Sequence, residues 1–243
     1  VVDIDNTLLA MNAALGSDQW FEWQEYLLDN EPESPHLVAK DFDGLLEAQD
    51  RLFALGKMRP PQTDLPDLVK KIQALEVRTL VLTSRGPDFR SYTERELLGA
   101  GYDLGESAMP TNGVPRDVFL PYDPSDLTDS GITEHEAELF HLRSPRAASY
   151  VNGVFMTSGQ HKGAMLLMML AKARTPVEAV VFVDDHGRHV NRVFDALVRR
   201  GITVAAVHYK REDNNVDRFN YGDKSRVDKQ WRLLDNAVKS VFD

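Results

Sequence analysis

From Ala179 to Val183 every residue is apolar, Ala-Val-Val-Phe-Val, and the run stops at two adjacent aspartates, Asp184 and Asp185. A short run with no polar position is the mark of a strand inside a parallel sheet, covered on both faces. Two neighbouring carboxylates at the end of such a strand are costly unless a cation or hydrogen-bond donors satisfy them.

A second acid-tipped run opens the chain. In Val1-Val2-Asp3-Ile4-Asp5-Asn6-Thr7 the two aspartates are two apart, and side chains at that spacing share one face of a strand. The loop after the strand lets both carboxylates converge on one point. One can attack phosphorus and the other can move a proton, with a hard cation such as Mg²⁺ neutralising their charge. Only Val1 and Val2 precede Asp3, fewer than a central strand of about five residues needs. The expectation is that the natural chain starts earlier, with room there for a targeting segment.

Between these ends the pattern alternates. Ser17 can cap a helix over Asp18 to Leu28, which carries Trp20, Phe21, Trp23, Tyr26 and Leu27. That aromatic face reads as buried helix surface, and also as a lid in which Trp20 and Trp23 line access to the aspartates. Helical spacing continues from His36 to Leu55, and the acids of residues 29–50 read as its solvated face. Pro66 opens a helix, Arg78 to Leu82 reads as a strand, and Thr83-Ser84-Arg85-Gly86 follows, leading into a helix over Phe89 to Leu98. Thr83 and the backbone amides after it could hold a phosphate oxygen.

Residues 103–148 are rich in Pro, Gly, Asp and Ser, and Glu134, His135, Glu136, Glu138 and His141 lack metal-ligand spacing there. Asn152-Gly153 between two β-prone runs signals a hairpin. Lys162 stands at the start of an apolar, Met-rich helix, where the helix dipole disfavours a cation unless an anion lies nearby. His186, beside two carboxylates, could be a ligand, but hard-cation chemistry favours reading it as a loop residue. A last strand covers Ile202 to Val207. Val227, Trp231, Leu234 and Val238 then form a helical stripe expected to dock on the sheet.

Composition removes several functions. A net charge of −10 and no basic stripe argue against a nucleic-acid partner. With no cysteine, thiolate metal sites, disulfides and cysteine nucleophiles are excluded. No apolar run is long enough for a membrane span.

Asp3-Ile4-Asp5-Asn6-Thr7, then Leu82-Thr83-Ser84-Arg85, then Lys162 at a helix start, then Phe182-Val183-Asp184-Asp185, resembles in content and order the haloacid dehalogenase (HAD) superfamily of phosphohydrolases. The resemblance spans Asp3 to about Val207. It implies an α/β fold, a three-layer sandwich with a parallel HAD-type (Rossmann-like) sheet and inserted cap segments. The core would be residues 1–9, 63–102 and 158–243, with a helical cap at 10–62 and a second, loop-rich hairpin insertion at 103–157. It implies that Asp3 is the nucleophile and Asp5 the general acid and base. Thr83, Ser84 and Lys162 would hold the phosphoryl group, and Asp3, Asp5, Asp184 and Asp185 would hold Mg²⁺. The implied activity is a phosphomonoesterase acting on a small-molecule phosphate ester. Alternatives are a phosphotransferase or mutase on the same scaffold, or a binding module with little turnover. The segment Gly16 to Trp23 is similar to a less-characterised bacterial branch near the secreted acid phosphatases, which implies a periplasmic or secreted location, with cytoplasmic as the alternative.

Overall fold

The computed structural model describes residues 1–115, 117–174 and 176–242. The chain is an α/β protein with small, mixed sheets. Strand β1 (Ala10–Met11) pairs antiparallel with β2 (Met58–Arg59). Between them lie helices α1 (Asp18–Asn30) and α2 (Phe42–Leu55). Helix α3 (Leu65–Gln73) leads to strand β3 (Val81–Thr83), which is followed by a 3₁₀ turn and α4 (Arg90–Gly99). After the short α5 (Glu134–Leu139) come the hairpin strands β4 (Ser149–Val151) and β5 (Val154–Met156) and helix α6 (Lys162–Ala171). Strand β6 (Ala179–Asp184), helix α7 (Gly187–Arg199), strand β7 (Thr203–His208) and helices α8 (Asp213–Asn220) and α9 (Ser225–Phe242) complete the chain.

The pairing explains how distant residues meet. β5 runs parallel to β3 and antiparallel to β4, and β6 runs parallel to β7. The first residues lie between these groups. Val2 forms single parallel bridges to Val81 and to Val183. The Val2 amide donates to Leu80, the Asp3 amide donates to the Val183 carbonyl at 2.9 Å, and the Leu82 amide donates to Val2. Asp3, Thr83 and Asp184 therefore stand at the same end of neighbouring parallel segments. The expected hairpin forms at Asn152 and Gly153, both at positive φ, 51° and 78°. The second strand of this hairpin, β5, pairs directly with β3.

Two apolar layers flank β3 and β5. Leu80, Leu82 and Phe155 pack with α6 and α7, while Val81, Val154 and Met156 pack with Val69, Phe89, Leu97 and Phe53. Farther along, the covering changes. Val180 and Phe182 are buried, but Val181 is 59% exposed and Val207 is 43% exposed. The apolar run over residues 179–183 is thus covered on one face only, against the two-faced burial its composition suggests. The physical reason lies in the C-terminus. The stripe on α9 does not dock on the sheet. Val227, Trp231 and Leu234 join Leu15, Trp20, Leu45, Leu52 and Phe219 in a separate cluster with α1 and α2. Burying those aromatics there leaves the outer face of β6 and β7 to solvent.

Several helix ends follow their local chemistry. Ser17 caps α1, its hydroxyl accepting from the Trp20 amide at 3.3 Å. The helix expected from His36 begins only at Phe42, because the Asp41 carboxylate accepts from the Gly44 amide and starts it there. No helix among the described residues is long and apolar enough to cross a membrane.

Candidate functional site

The centre of the site is a dry ion cluster. Lys162 Nζ lies 2.6 Å from Asp3 Oδ1 and 2.7 Å from Asp184 Oδ2. Asp3, Lys162 and Asp184 are 4%, 1% and 0% exposed, so no solvent shares their charge. Lys162 is the first residue of α6, and the two carboxylates offset the unfavourable end of the helix dipole. The glycine after it has a packing reason. A Cβ at Gly163 would fall 2.3 Å from the Arg192 carbonyl oxygen of α7. The bare backbone lets α6 press against α7 and fixes where Lys162 projects.

Burial sets the protonation equilibria. It pushes the Asp3 carboxyl up to about 7, against the opposing pull of Lys162. Burial also opposes charge on Asp184, but Lys162 and His189 overcome it and hold that carboxyl down at about 2. Lys162 is kept charged despite desolvation because both carboxylates face it. Asp185 is pushed up to about 9 by burial and by the neighbouring Asp18 charge. Among the described residues its Oδ1 has no hydrogen-bond partner. An orphaned carboxylate oxygen beside two further carboxylates is a donor set that suits a hard cation. Ligand atoms of Asp3, Asp184 and Asp185 lie within 4.8 Å of one another.

The Asp5 carboxylate lies close enough to raise the Asp3 carboxyl, and its position is set by the turn that follows. Asn6, at φ 53°, turns the chain directly after it, so that the Thr7, Leu8 and Leu9 amides all donate to the Ile4 carbonyl. Asn tolerates this left-handed conformation better than most residues. The Asp5 carboxylate is gripped by Arg85, with Nε to Oδ2 at 2.9 Å and Nη2 to Oδ1 at 2.7 Å. Arg85 in turn donates to Thr93 Oγ1 at 2.9 Å, and its guanidinium lies 4.1 Å above the Phe53 ring. Thr83 Oγ1 accepts from the Arg85 amide, and Thr83 is 1% exposed. Ser84 is half-buried in the same loop, its carbonyl accepting from Gly159. Among the described residues neither side chain hydrogen-bonds Asp3 or Lys162.

Residues at the start of α1 close the outer side. The Asn6 amide group donates to Gln19 Oε1 at 3.4 Å, and His186 Nε2 lies 2.9 Å from Asp18 Oδ2. The Thr7 hydroxyl accepts from the Asp185 amide at 3.1 Å. Polar residues at the start of α1, not its tryptophans, thus face the site. Trp20 is 1% exposed, within 6.4 Å of the Trp231 ring, and Trp23 packs on Phe219. The expected lining role of these two rings is not what the structure places there. Arg85 and Asp18 are the residues that sequence reasoning passed over. Arg85 follows Thr83 at the two-residue spacing that shares a face, and Asp18 follows the cap residue Ser17; both were signals within motifs already visible.

Fold and site together define an α/β protein with a buried carboxylate–lysine centre at the ends of adjacent parallel segments. Over residues 1–241 the chain matches, and belongs to, the family described as "Protein of unknown function (DUF2608)". No curated protein matches the chain, and no solved structure does. A surface cleft of about 450 Å³ between α2 and α9, lined in part by Asp41, Arg51 and Trp231, shares no residue with the centre.

Proposed function

We propose that the chain is a Mg²⁺-dependent phosphomonoesterase of the HAD type, acting through an aspartyl-phosphate on a small phosphate ester. The observation that carries this reading is Lys162 seated between Asp3 and Asp184, with Asp185 and its orphaned oxygen alongside. The parallel bridges of Val2 to Val81 and Val183 support a HAD-type sheet at the middle of a three-layer sandwich. The paired strands β1 and β2 support reading residues 10–62 as a cap on a narrow neck.

In this mechanism Asp3 Oδ attacks phosphorus as the bond to the ester oxygen breaks. Asp5 gives a proton to that departing oxygen, so an alcohol leaves and an acyl phosphate remains on Asp3. Asp5, now a base, takes a proton from water. The water oxygen adds to phosphorus, the bond to Asp3 breaks, and inorganic phosphate is released. Lys162 neutralises charge on Asp3 and on the transferring group, and Arg85 fixes where the Asp5 carboxyl stands. The Thr83 hydroxyl and the Ser84 amide bind phosphoryl oxygens. Side chains of Asp3, Asp184 and Asp185, with the Asp5 backbone carbonyl, would hold the cation, which supplies positive charge to the phosphate oxygens.

The test is phosphate release across a panel of phosphomonoesters, with Mg²⁺ and with chelator, for the wild type and Asp3→Asn. The reading expects metal-dependent release that Asp3→Asn abolishes without changing the circular dichroism spectrum. Undiminished release by a folded Asp3→Asn protein would overturn it. Adding an alcohol acceptor separates hydrolysis from phosphoryl transfer.

A further inference from the structure

The outer side of the centre carries a second grouping that the phosphatase reading does not use. One imidazole nitrogen is surrounded by three carboxylates. His186 Nε2 lies 2.9 Å from Asp18 Oδ2, 3.7 Å from Glu22 Oε1 and 3.8 Å from Asp185 Oδ2. Nitrogen and oxygen ligands about 2.0–2.2 Å from a tetrahedral ion stand roughly 3.4 Å from each other. The observed separations bracket that value. Ligand atoms of Asp18, Asp185 and His186 also lie within 4.8 Å of one another.

An independent observation concerns Asp185. Its side chain is only 10% exposed, and among the described residues its Oδ1 has no hydrogen-bond partner. The same carboxylate presents Oδ2 towards His186. One buried carboxylate with an unpaired oxygen, standing between two groups of potential ligands, is short of positive charge. The outer group is open enough for an ion to arrive from solvent, since the His186, Asp18 and Glu22 side chains are 27%, 24% and 45% exposed.

We propose that Asp18, Asp185 and His186, with Glu22 as a fourth ligand, form a site for a borderline divalent cation of the Zn²⁺ class, distinct from the hard-cation group of Asp3, Asp184 and Asp185 and joined to it through Asp185. The imidazole decides the ion. Nitrogen ligands suit Zn²⁺ and its neighbours, whereas Mg²⁺ keeps to carboxylate, carbonyl and water oxygen. The topology gives the site a consequence. Asp18 opens α1 and His186 follows β6. An ion held by both would tie the inserted helix to the strand end beside Asp3. The inference goes beyond the phosphatase reading and does not depend on it.

The experiment is calorimetric titration of the full chain with Zn²⁺ in excess Mg²⁺, with Co²⁺ absorption spectra as a second readout. Wild type and Asp3→Asn are expected to bind Zn²⁺ alike. His186→Gln and Asp18→Asn are expected to bind it more weakly by at least the roughly 10–100-fold that loss of an outer-shell partner costs. Co²⁺ bands seen in the wild type are expected to vanish in His186→Gln. Circular dichroism checks each variant, and Glu22→Gln, at the most exposed ligand, serves if Asp18→Asn does not fold. Absence of Zn²⁺ binding by the wild type, or equal affinity in His186→Gln, would overturn the proposal, leaving His186 and Asp18 as a plain ion pair. Mg²⁺-dependent phosphate release is read separately, so the two readings fail independently.

Discussion

Replacing Arg85 by Met removes the two-bond grip on the Asp5 carboxylate. The guanidinium makes two bonds to the carboxylate, at 2.9 and 2.7 Å, and the two side chains are 4% and 18% exposed. Breaking a buried pair by deleting one partner costs about 3–5 kcal/mol. Asp5 keeps some contact with water, which draws the value towards the lower end. Losing the bond to Thr93 adds about 1 kcal/mol, although the Thr93 hydroxyl keeps its bond to the Phe89 carbonyl. The thioether of Met restores packing against Phe53 and recovers part of this. The expected loss is about 2–4 kcal/mol, seen in urea as a lower midpoint at unchanged slope. Asp5→Ala is expected to cost a similar amount, because it strands a guanidinium that is almost fully buried. The double variant removes both charges and is expected to cost about 2 kcal/mol less than the sum, within the range for groups in direct contact. Additivity within ~0.5 kcal/mol would show that the fork contributes nothing particular, and the argument that Arg85 positions Asp5 would fall.

Three further outcomes are expected. Asp5→Asn slows phosphate release by ~10²–10⁴-fold, the usual share of acid–base help, and an unchanged rate on an active substrate removes Asp5 from that role. Trp20→Ala costs about 3–5 kcal/mol in chemical denaturation with little change in KM, since the ring is core; a raised KM at unchanged stability would return it to the mouth of the site. Asp3 and Asp185 have folded-state values of about 7 and about 9, above the ordinary carboxylate value, so the folded chain binds their protons more tightly. Their contribution is present at low pH and is lost as pH rises from about 4 through 9. Mg²⁺ favours the ionised forms, so it is expected to raise the melting temperature more at about pH 8 than at about pH 5; the reverse order in thermal melts would contradict the assignment.

What could be read from the chain was mostly local. Ser17 as a cap, Asn152-Gly153 as a hairpin and Lys162 at a helix start are each decided by a few neighbouring residues. The acid-tipped runs at Asp3 and Asp184 were legible for the same reason. Positions that depend on a partner far along the chain were not. The stripe on α9 is a helix face in sequence whatever it docks on, and only the demand of Trp20 and Phe219 for burial sends it to α1 and α2. Val181 is as apolar as Phe182, yet one is exposed and the other is 0% exposed, because no pattern within a strand says what covers each face. Arg85 was visible as a residue of the loop, but its fork on Asp5 requires the turn at Asn6, a φ value and not a motif.

The site divides by solvent rather than by sequence. Asp3, Lys162 and Asp184 project from a parallel segment, a helix start and a strand end that the core fixes, and they are dry. Their attraction is strong in that setting, and the surrounding core holds their geometry fixed. Asp18, Glu22 and His186 are wetter, and two of the three come from α1. Charges exposed to this extent contribute little to stability as pairs. Their placement around one imidazole therefore asks for another explanation, and a bound cation supplies one. Asp185 belongs to both groups, with one oxygen facing His186 and the other buried without a partner. A change at Asp185 would therefore be felt on both sides, whereas His186 and Asp3 each report on one side alone.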